Sequence, residues 1–114
     1  MKINLNNKNF KSLNSSNNGQ VNEDTIFYYQ QKDNIIWATY DGGQILKGTL
    51  IGKLIGKNKL SFVYQHIDQN DSIMTGKCET KIEFDKTNKI ILNEVWQWTC
   101  RDFSVGKSIL IEID

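Results

Sequence analysis

Proline is absent from this chain of 114 residues, and histidine occurs only once, at His66. A Ser-His-Asp or Cys-His arrangement would have to use this one histidine as its general base. The two cysteines, Cys78 and Cys100, are too few for a disulfide scaffold, and with one histidine they lack the usual ligand set of a zinc site. The composition therefore disfavours catalytic triads, structural zinc and a disulfide-stapled fold.

Charge of one sign and long apolar runs are scarce as well. The formal net charge is +1, which gives no bulk attraction to nucleic acid or to an acidic membrane. No apolar run approaches the roughly 20 residues of a membrane helix, and residues 1–20 contain no apolar signal region. We therefore expect no nucleic-acid partner, no membrane partner and, by default, a cytoplasmic location.

Cofactor motifs are missing too. The glycines of GTLIGK and GKLIGK have three residues between them where a phosphate-binding loop has four, and Asn58 stands where that loop has Ser or Thr. We expect no cofactor. With 39% apolar and 24% charged residues, the length suits one globular domain. We expect that domain over residues 18–114, after a flexible segment or a short first strand at residues 1–17.

Period-two alternation of apolar and polar residues recurs along the chain, whereas helical spacing is not sustained anywhere. Residues 77–84 alternate charged with less polar side chains, which is typical of a strand with one wet face. Turn residues such as Asp41-Gly42-Gly43 separate seven or eight such runs. The sequence thus predicts an all-β fold, an antiparallel up-and-down β-barrel of about eight strands, because closure removes exposed edges.

The stretch IILNEVWQWTC, from Ile90 to Cys100, is the richest in this pattern. Its alternation places Leu92, Glu94, Trp96, Trp98 and Cys100 on one face of a strand. Such a face suits a packed core or the wall of a cavity, since a barrel of about eight strands is either filled by side chains or holds one small ligand. The pattern leaves both possibilities open.

Strand pairing and glycines give further expectations. A hairpin centred near Thr87 pairs residue 78 with about residue 96, which leaves Cys100 about 13 Å further along at the rise of a strand. That distance is too long for a disulfide, so we expect two buried thiols. Glycines within strands, at Gly48, Gly52 and Gly76, predict bends or bulges at barrel corners.

A catalytic alternative uses the carboxyl groups of Glu94 and Glu112 with His66. An inward carboxyl with a pKa raised by desolvation could act as acid or base. The competing interpretations are a carboxylate paired with a lysine or arginine at a barrel mouth, and a rim histidine with a structural hydrogen bond. The catalytic hypothesis requires a perturbed carboxyl and His66 within hydrogen-bond reach of each other.

Three motifs carry a family resemblance. ILNEVWQWTC with GKSILIEID, IIWATYDGG and IMTGKCE follow one another in an order that resembles the avidin and streptavidin barrel over most of residues 18–114. The chain also resembles short bacterial proteins labelled N-acetylglutamate synthase. It shows neither the helix-containing α/β domain nor the Gly-rich coenzyme A loop of the usual acetyltransferase.

The avidin resemblance implies a set of binding residues. Tyr40 stands at a tyrosine that bonds the ureido oxygen of biotin, Asp24 at a serine that shares this bond, Ser72 at a ligand threonine and Trp96 at a cage tryptophan. Tyr64 and Met74 replace two further cage tryptophans, Gly42 replaces a ligand serine, and Asp114 falls at the aspartate that binds the ureido nitrogen. The tryptophan donated by a neighbouring subunit has no counterpart in residues 101–106. These departures argue against tight biotin binding.

The last strand gives two conflicting expectations. The resemblance points Ser108, Leu110, Glu112 and Asp114 inward and leaves Ile109, Ile111 and Ile113 outside, whereas burial of apolar residues predicts the reverse. Both hold if the three isoleucines pack against another copy of the chain, so we expect a homo-oligomer through them.

The sequence favours a non-enzymatic barrel that binds a small, partly apolar molecule. The alternatives are an oligomeric interaction module that uses the last strand, and a small enzyme that uses Glu94 or Glu112 with His66. The predicted ligand-binding residues are Asp24, Tyr40, Tyr64, Ser72, Met74, Glu94, Trp96 and Trp98.

Overall fold

The structure, a computed structural model, describes residues 3–114 and contains eight strands. Residues 1 and 2, at the start of the expected N-terminal segment, lie outside the described residues. The strands are β1 (Lys8–Ser15), β2 (Ile26–Lys32), β3 (Ile35–Gly42), β4 (Ile45–Ile55), β5 (Lys59–Asp68), β6 (Ile73–Phe84), β7 (Ile90–Trp98) and β8 (Val105–Ile113). Each strand pairs antiparallel with the next, and β1 pairs with β8 to close the barrel. The predicted all-β, up-and-down barrel of about eight strands is confirmed.

Alternation in the sequence becomes alternation between the barrel interior and its surface. Along β7, Leu92, Glu94, Trp96 and Trp98 are all buried, whereas Val95 is 47% exposed. Cys78 of β6 lies opposite Trp96, as the hairpin near Thr87 predicted. Among residues 3–114, no helix has the length and hydropathy needed to cross a membrane.

The lower half of the barrel is densely packed. We call its two ends upper and lower: the β1–β2, β3–β4, β5–β6 and β7–β8 connections lie at the upper end. At the lower end Leu5, which is fully buried, plugs the barrel, and its backbone N–H donates to Gln31 Oε1 at 2.7 Å. The fully buried side chains of this half are Phe10, Tyr29, Ile36, Leu60, Leu92 and Leu110. Burying an aliphatic or aromatic side chain contributes about 1.5–3 kcal/mol, so this half supplies much of the driving force for folding.

The side chains of the last strand alternate between inside and outside in the way that the resemblance implied. Ser108 and Leu110 are buried inside the barrel, while Ile109, Ile111 and Ile113 face outward and are half-buried. The expectation from apolar burial alone was wrong. Leu110 is the apolar residue that β8 contributes to the core, and the three isoleucines lie half-buried on the outer surface.

The interior glycines lie opposite aromatic residues and are not at bulges. Gly48, Gly52 and Gly76 lie at positions of regular pairing, so the expectation of bulges there was wrong. Each lies directly opposite an aromatic residue, as does Gly106 on β8; the pairs are Gly48–Tyr40, Gly52–Phe62, Gly76–Tyr64 and Gly106–Trp96. A Cβ at any of the four would overlap atoms of that aromatic residue. At Gly48, Gly76 and Gly106 those atoms belong to the ring, so glycine lets the ring lie against the backbone of the next strand. At Gly52 they are Cα and Cβ of Phe62, next to the Ser61 carbonyl, so glycine there allows a close approach of the two strands.

Replacing Gly76 with alanine should lower the free energy of unfolding by about 1–3 kcal/mol, because the new methyl group displaces the Tyr64 ring. Urea denaturation followed by circular dichroism measures the change. In a Tyr64→Leu background the same substitution should cost less than half as much, since the overlapping ring is gone. An equal cost in both backgrounds would contradict the assignment.

The cysteines agree only partly with expectation. Both are free, as the predicted separation required. Cys78 is buried on β6, but Cys100 lies beyond the end of β7 and is only half-buried. The prediction of two buried thiols was wrong for Cys100, because the alternation of β7 ends at Trp98 and the chain then turns toward β8.

Candidate functional site

A cavity occupies the upper half of the barrel, above the packed lower core. Its volume is about 40 Å³, room for a few water molecules or a small organic group, and well below the roughly 300–1,000 Å³ of pockets for drug-sized ligands. Every strand contributes to its wall, because inward-facing side chains of the upper turns converge there. The lining residues are Ser15, Gly19, Gln20, Val21, Phe27, Tyr40, Leu50, Phe62, Tyr64, His66, Cys78, Glu94, Trp96, Trp98 and Ser108.

The β1–β2 loop, residues 16–25, crosses the upper end and covers this cavity. On one side, the Ser16 backbone N–H donates to the Lys107 carbonyl at 2.9 Å. In the centre, Trp98 Nε1–H donates to the carbonyl of Asn18 at 3.0 Å. On the far side, the Gln20 side chain reaches β5. Hydrogen bonds thus hold the loop on both sides and in the centre, and its residues 19–21 form the roof of the cavity.

Gln20 joins a chain of hydrogen bonds that fixes the tautomer of His66. Gln20 Nε2 donates to the Asp68 carboxylate at 2.9 Å, so its Oε1 accepts from His66 Nε2–H at 2.7 Å. His66 Nδ1 then accepts from the Tyr40 hydroxyl at 2.9 Å. Burial lowers the pKa of His66 to about 4, although the nearby Asp68 carboxylate opposes this shift. The histidine is therefore a neutral, structural member of the cavity wall at neutral pH.

The ring of His66 should titrate near pH 4. Gln20→Ala removes part of its cover and lets water reach the ring, which replaces the lost acceptor, so we expect the pKa to move up toward the ordinary value of about 6.5. Proton NMR measures this cleanly, because the chain has one histidine. Gln97→Ala, on the outer surface of β7, is the matched control and should leave the titration unchanged. A wild-type midpoint near 6.5 would contradict the described environment.

Trp96 forms the side of the cavity next to β8. Its Nε1–H donates to Ser108 Oγ at 2.9 Å, and its ring lies against Gly106. The ring also meets Gly19 of the β1–β2 loop and contacts Trp98 edge to face, with 5.5 Å between the ring centroids. Two glycines therefore make the space in which this indole lies, one on the strand and one on the roof.

In residues 3–114 two buried side-chain polar atoms lack a hydrogen-bond partner, the Tyr29 hydroxyl oxygen and one carboxyl oxygen of Glu94. Glu94 is 7% exposed, and the carboxyl oxygen concerned is its Oε2. Desolvation raises the pKa of this carboxyl to about 8. At neutral pH most Glu94 side chains are therefore protonated, and the group can gain or lose a proton within the physiological range.

Five of the eight predicted site residues line the cavity together: Tyr40, Tyr64, Glu94, Trp96 and Trp98. The other three, Asp24, Ser72 and Met74, do not line it. Met74 does face the interior and is buried, but its sulfur lies 3.0 Å from Arg101 Nε, toward the β7–β8 loop.

Asp24 and Ser72 lie in connections whose hydrogen bonds turn them away from the cavity. The side chain of Asn22 accepts from the Asp24 backbone N–H at 2.8 Å, in a turn that leaves Asp24 exposed. The Ser72 N–H donates to Asp68 Oδ1 at 3.0 Å within the β5–β6 turn. Asp114 is also outside the cavity: its side chain is 96% exposed at the lower end and is paired with Lys89.

Several residues that line the cavity were not predicted from the sequence. Gln20 and Ser15 come from a polar N-terminal stretch that carries no periodic signal. Ser108 could have been found, because the resemblance already pointed it inward. The Ser108 hydroxyl accepts from Ser15 as well as from Trp96, which links β1 to the indole.

The carboxyl groups and His66 do not form a catalytic pair. Both nitrogens of His66 are bonded to Tyr40 and Gln20, and neither bonds to a carboxyl group. Glu112 lies at the lower end, where it accepts from the Ile90 N–H at 3.0 Å and pairs with Lys8 at 3.5 Å. In residues 3–114, no three His, Cys, Asp or Glu side chains cluster in a way that could hold a metal ion.

Comparison with protein families agrees with this geometry. The family described as avidin-like protein matches residues 3–113, nearly the whole chain. Comparisons with curated proteins and with solved structures found no match. The closed eight-stranded barrel, with its inward Tyr40, Trp96 and Ser108, is the architecture that the motif order implied. The chain belongs to the avidin-like protein family.

Proposed function

We propose that this protein is a non-enzymatic barrel that binds a small, partly apolar molecule in its upper cavity. The observation that carries the proposal is the contrast between the two halves of one interior. The lower half is filled by apolar side chains, whereas the upper half keeps a cavity walled by aromatic rings. Polar groups converge on that cavity from Glu94, Ser108 and His66. Small-molecule sites combine an apolar wall with a few placed polar groups in this way.

The small volume of the cavity limits the size of the ligand. About 40 Å³ accepts a compound of a few non-hydrogen atoms, or the end of a longer one. The roof is a loop held by hydrogen bonds, so a longer ligand requires displacement of residues 19–21. Biotin fits this account poorly, because Asp24, Ser72 and Met74 lie outside the cavity and Asp114 is at the other end of the barrel.

Binding can be tested by NMR with a panel of small alcohols, amines, amides and aromatic fragments. The indole N–H signals of Trp96 and Trp98 report on the cavity directly, whereas the third tryptophan, Trp37, is an internal control on the outer surface. We expect at least one compound class to shift the first two signals, saturably, and to spare Trp37. Cys78→Met, which fills part of the cavity, should abolish the shifts. A panel that leaves both cavity signals unmoved would contradict the proposal.

Self-association is a second candidate role. An apolar row runs outward across three strands: Trp37 of β3, Ile51 of β4 and Val63 of β5 are paired neighbours, and are 40%, 54% and 54% exposed. Ile109, Ile111 and Ile113, predicted as the contact, are only half-buried in one chain and remain available to a second copy. Light scattering at several concentrations gives the molar mass. A monomer at all of them would count against assembly.

A further inference from the structure

Glu94 is a buried acid for which the described part of the chain supplies no cation. The ion pairs among residues 3–114 join Lys8 to Glu112 and Lys89 to Asp114, both at the lower end. In the same part of the chain, the buried polar and charged side chains include no lysine and no arginine. The Oε2 atom of Glu94 has no hydrogen-bond donor, although the side chain lies on the cavity wall. A buried carboxylate ordinarily has a donor or a counter-ion.

The cavity that Glu94 lines has largely aromatic walls. Tyr40, Tyr64, Phe62, Trp96 and Trp98 line the same cavity, and several of these rings meet edge to face around it. The face of an aromatic ring attracts a cation, and a small desolvated site strengthens this attraction. A carboxyl group beside several aromatic rings is therefore a site with a preference for positive charge.

Every titratable group that faces Glu94 is neutral near pH 7. Burial raises the pKa of Tyr29 on β2, Tyr40 on β3, Tyr64 on β5 and Cys78 on β6, and the Glu94 charge adds to each of these shifts. His66 on β5 is neutral because burial lowers its pKa to about 4. The remaining strands present Ser12 and Ser15 from β1, Leu50 from β4 and Ser108 from β8. Within residues 3–114, therefore, no side chain supplies a positive charge to this cavity, and a ligand can supply it.

We propose that the cavity binds a small organic cation, an alkylammonium group, with Glu94 as its counter-ion and the aromatic rings as its walls. This proposal rests on the small-molecule binding function and names the chemical class of the ligand. The ammonium N–H groups supply the donors that Glu94 lacks, and the alkyl part occupies the apolar space. Because the cation requires the ionised carboxylate, binding below about pH 8 releases the proton of Glu94 to solvent.

The test compares n-propylammonium chloride with 1-propanol, which has the same size and shape without the charge. Titrations followed by the Trp96 and Trp98 indole signals, at constant ionic strength, give the dissociation constants. We expect the ammonium compound to bind at least about tenfold more tightly than the alcohol at pH 8. Its affinity should rise by up to about tenfold per pH unit between pH 6 and pH 7.5 and then level off, as the carboxyl group ionises.

The variant Glu94→Gln keeps the shape of the side chain and removes its charge. It should lose the preference for the ammonium compound and the pH dependence, whereas Glu112→Gln, at the lower end, should retain both. If 1-propanol binds as tightly as the ammonium compound, the cation proposal is overturned and the binding function stands. If neither compound binds, while other members of the wider panel do, the cation proposal alone fails. If no compound of any class binds, both fail.

Discussion

Replacing Glu94 with glutamine should stabilise the protein at alkaline pH and leave it nearly unchanged in mild acid. The folded-state pKa of Glu94 is raised from 4.5 to about 8 by burial. The protonated carboxyl is favoured in the folded state, so its contribution to the free energy of unfolding is fully present below pH 4.5. That contribution is lost as the pH rises from 4.5 to about 8. By linkage, ionising this group inside the barrel costs about 3–5 kcal/mol. Glutamine does not ionise, so the variant has no such cost.

The measurement is the free energy of unfolding in urea at several pH values for both proteins. The variant should be similar to wild type near pH 5 and more stable by about 3–5 kcal/mol near pH 9. Burial is the main cause that raises the pKa of the buried tyrosines and of Cys78 and lowers that of His66, so these groups stay neutral inside both folded proteins between pH 5 and pH 9, and their contributions nearly cancel in the difference. Glu112→Gln, which loses a partly exposed pair with Lys8, should change stability by less than about 1 kcal/mol. A difference between Glu94→Gln and wild type that stays constant with pH would contradict the burial of a free carboxyl.

Trp96→Ala should be the most destabilising single substitution in the cavity wall. The indole is 7% exposed, its N–H donates to Ser108, and its ring fills the space above Gly106 and beside Gly19. Truncation of a buried aromatic residue costs about 3–5 kcal/mol, since it removes apolar burial and leaves a void. Trp96→Phe should cost about 1–2 kcal/mol, because it keeps an aromatic ring and loses the bond to Ser108.

The matched control is Trp37→Ala on the outer surface, where the ring is 40% exposed. Its cost should be smaller, about 1–2 kcal/mol, because the ring is partly exposed and its removal leaves no enclosed void. Urea denaturation gives both values under the same conditions. Equal costs at positions 37 and 96 would mean that Trp96 is not the packed wall described.

What the sequence predicted correctly depends on local alternation. The inward phase of Leu92, Glu94, Trp96 and Trp98 follows from period two in an antiparallel strand. The pairing of Cys78 with Trp96 follows once the hairpin turn is located near Thr87. Closure into a barrel follows from the cost of exposed edges. These features require only neighbouring residues and general rules of sheet geometry.

The roof of the cavity could not be predicted in this way. Gln20 reaches His66 and Asp68, which are 46 and 48 residues away in the sequence, and no periodicity connects a loop with its distant partners. Asp24 and Ser72 were placed by resemblance in connections, where local turns such as the one at Asn22 decide the direction of a side chain. Loops vary most between relatives, so the resemblance was least informative there.

The interior glycines show an intermediate case. Considered alone, Gly76 indicates a break in a strand. Its role is recognised only when the strand register shows that it lies opposite Tyr64. The turn at Asp68–Ser72 would have allowed that register to be counted from the sequence, as the turn near Thr87 did for Cys78 and Trp96. Aromatic–glycine pairs across predicted hairpins are thus a signal that sequence analysis can use.

Native mass spectrometry of protein purified from the cells that naturally make it tests the central claim most directly, since the claim is that the upper cavity binds a small molecule. We predict a folded species heavier than the chain by the mass of a small compound, and loss of that excess on unfolding. The Cys78→Met variant from the same cells should carry no excess. A wild-type protein that has the bare mass of its chain or of its oligomer, and whose cavity tryptophan signals respond to no compound of the panel, would contradict the account.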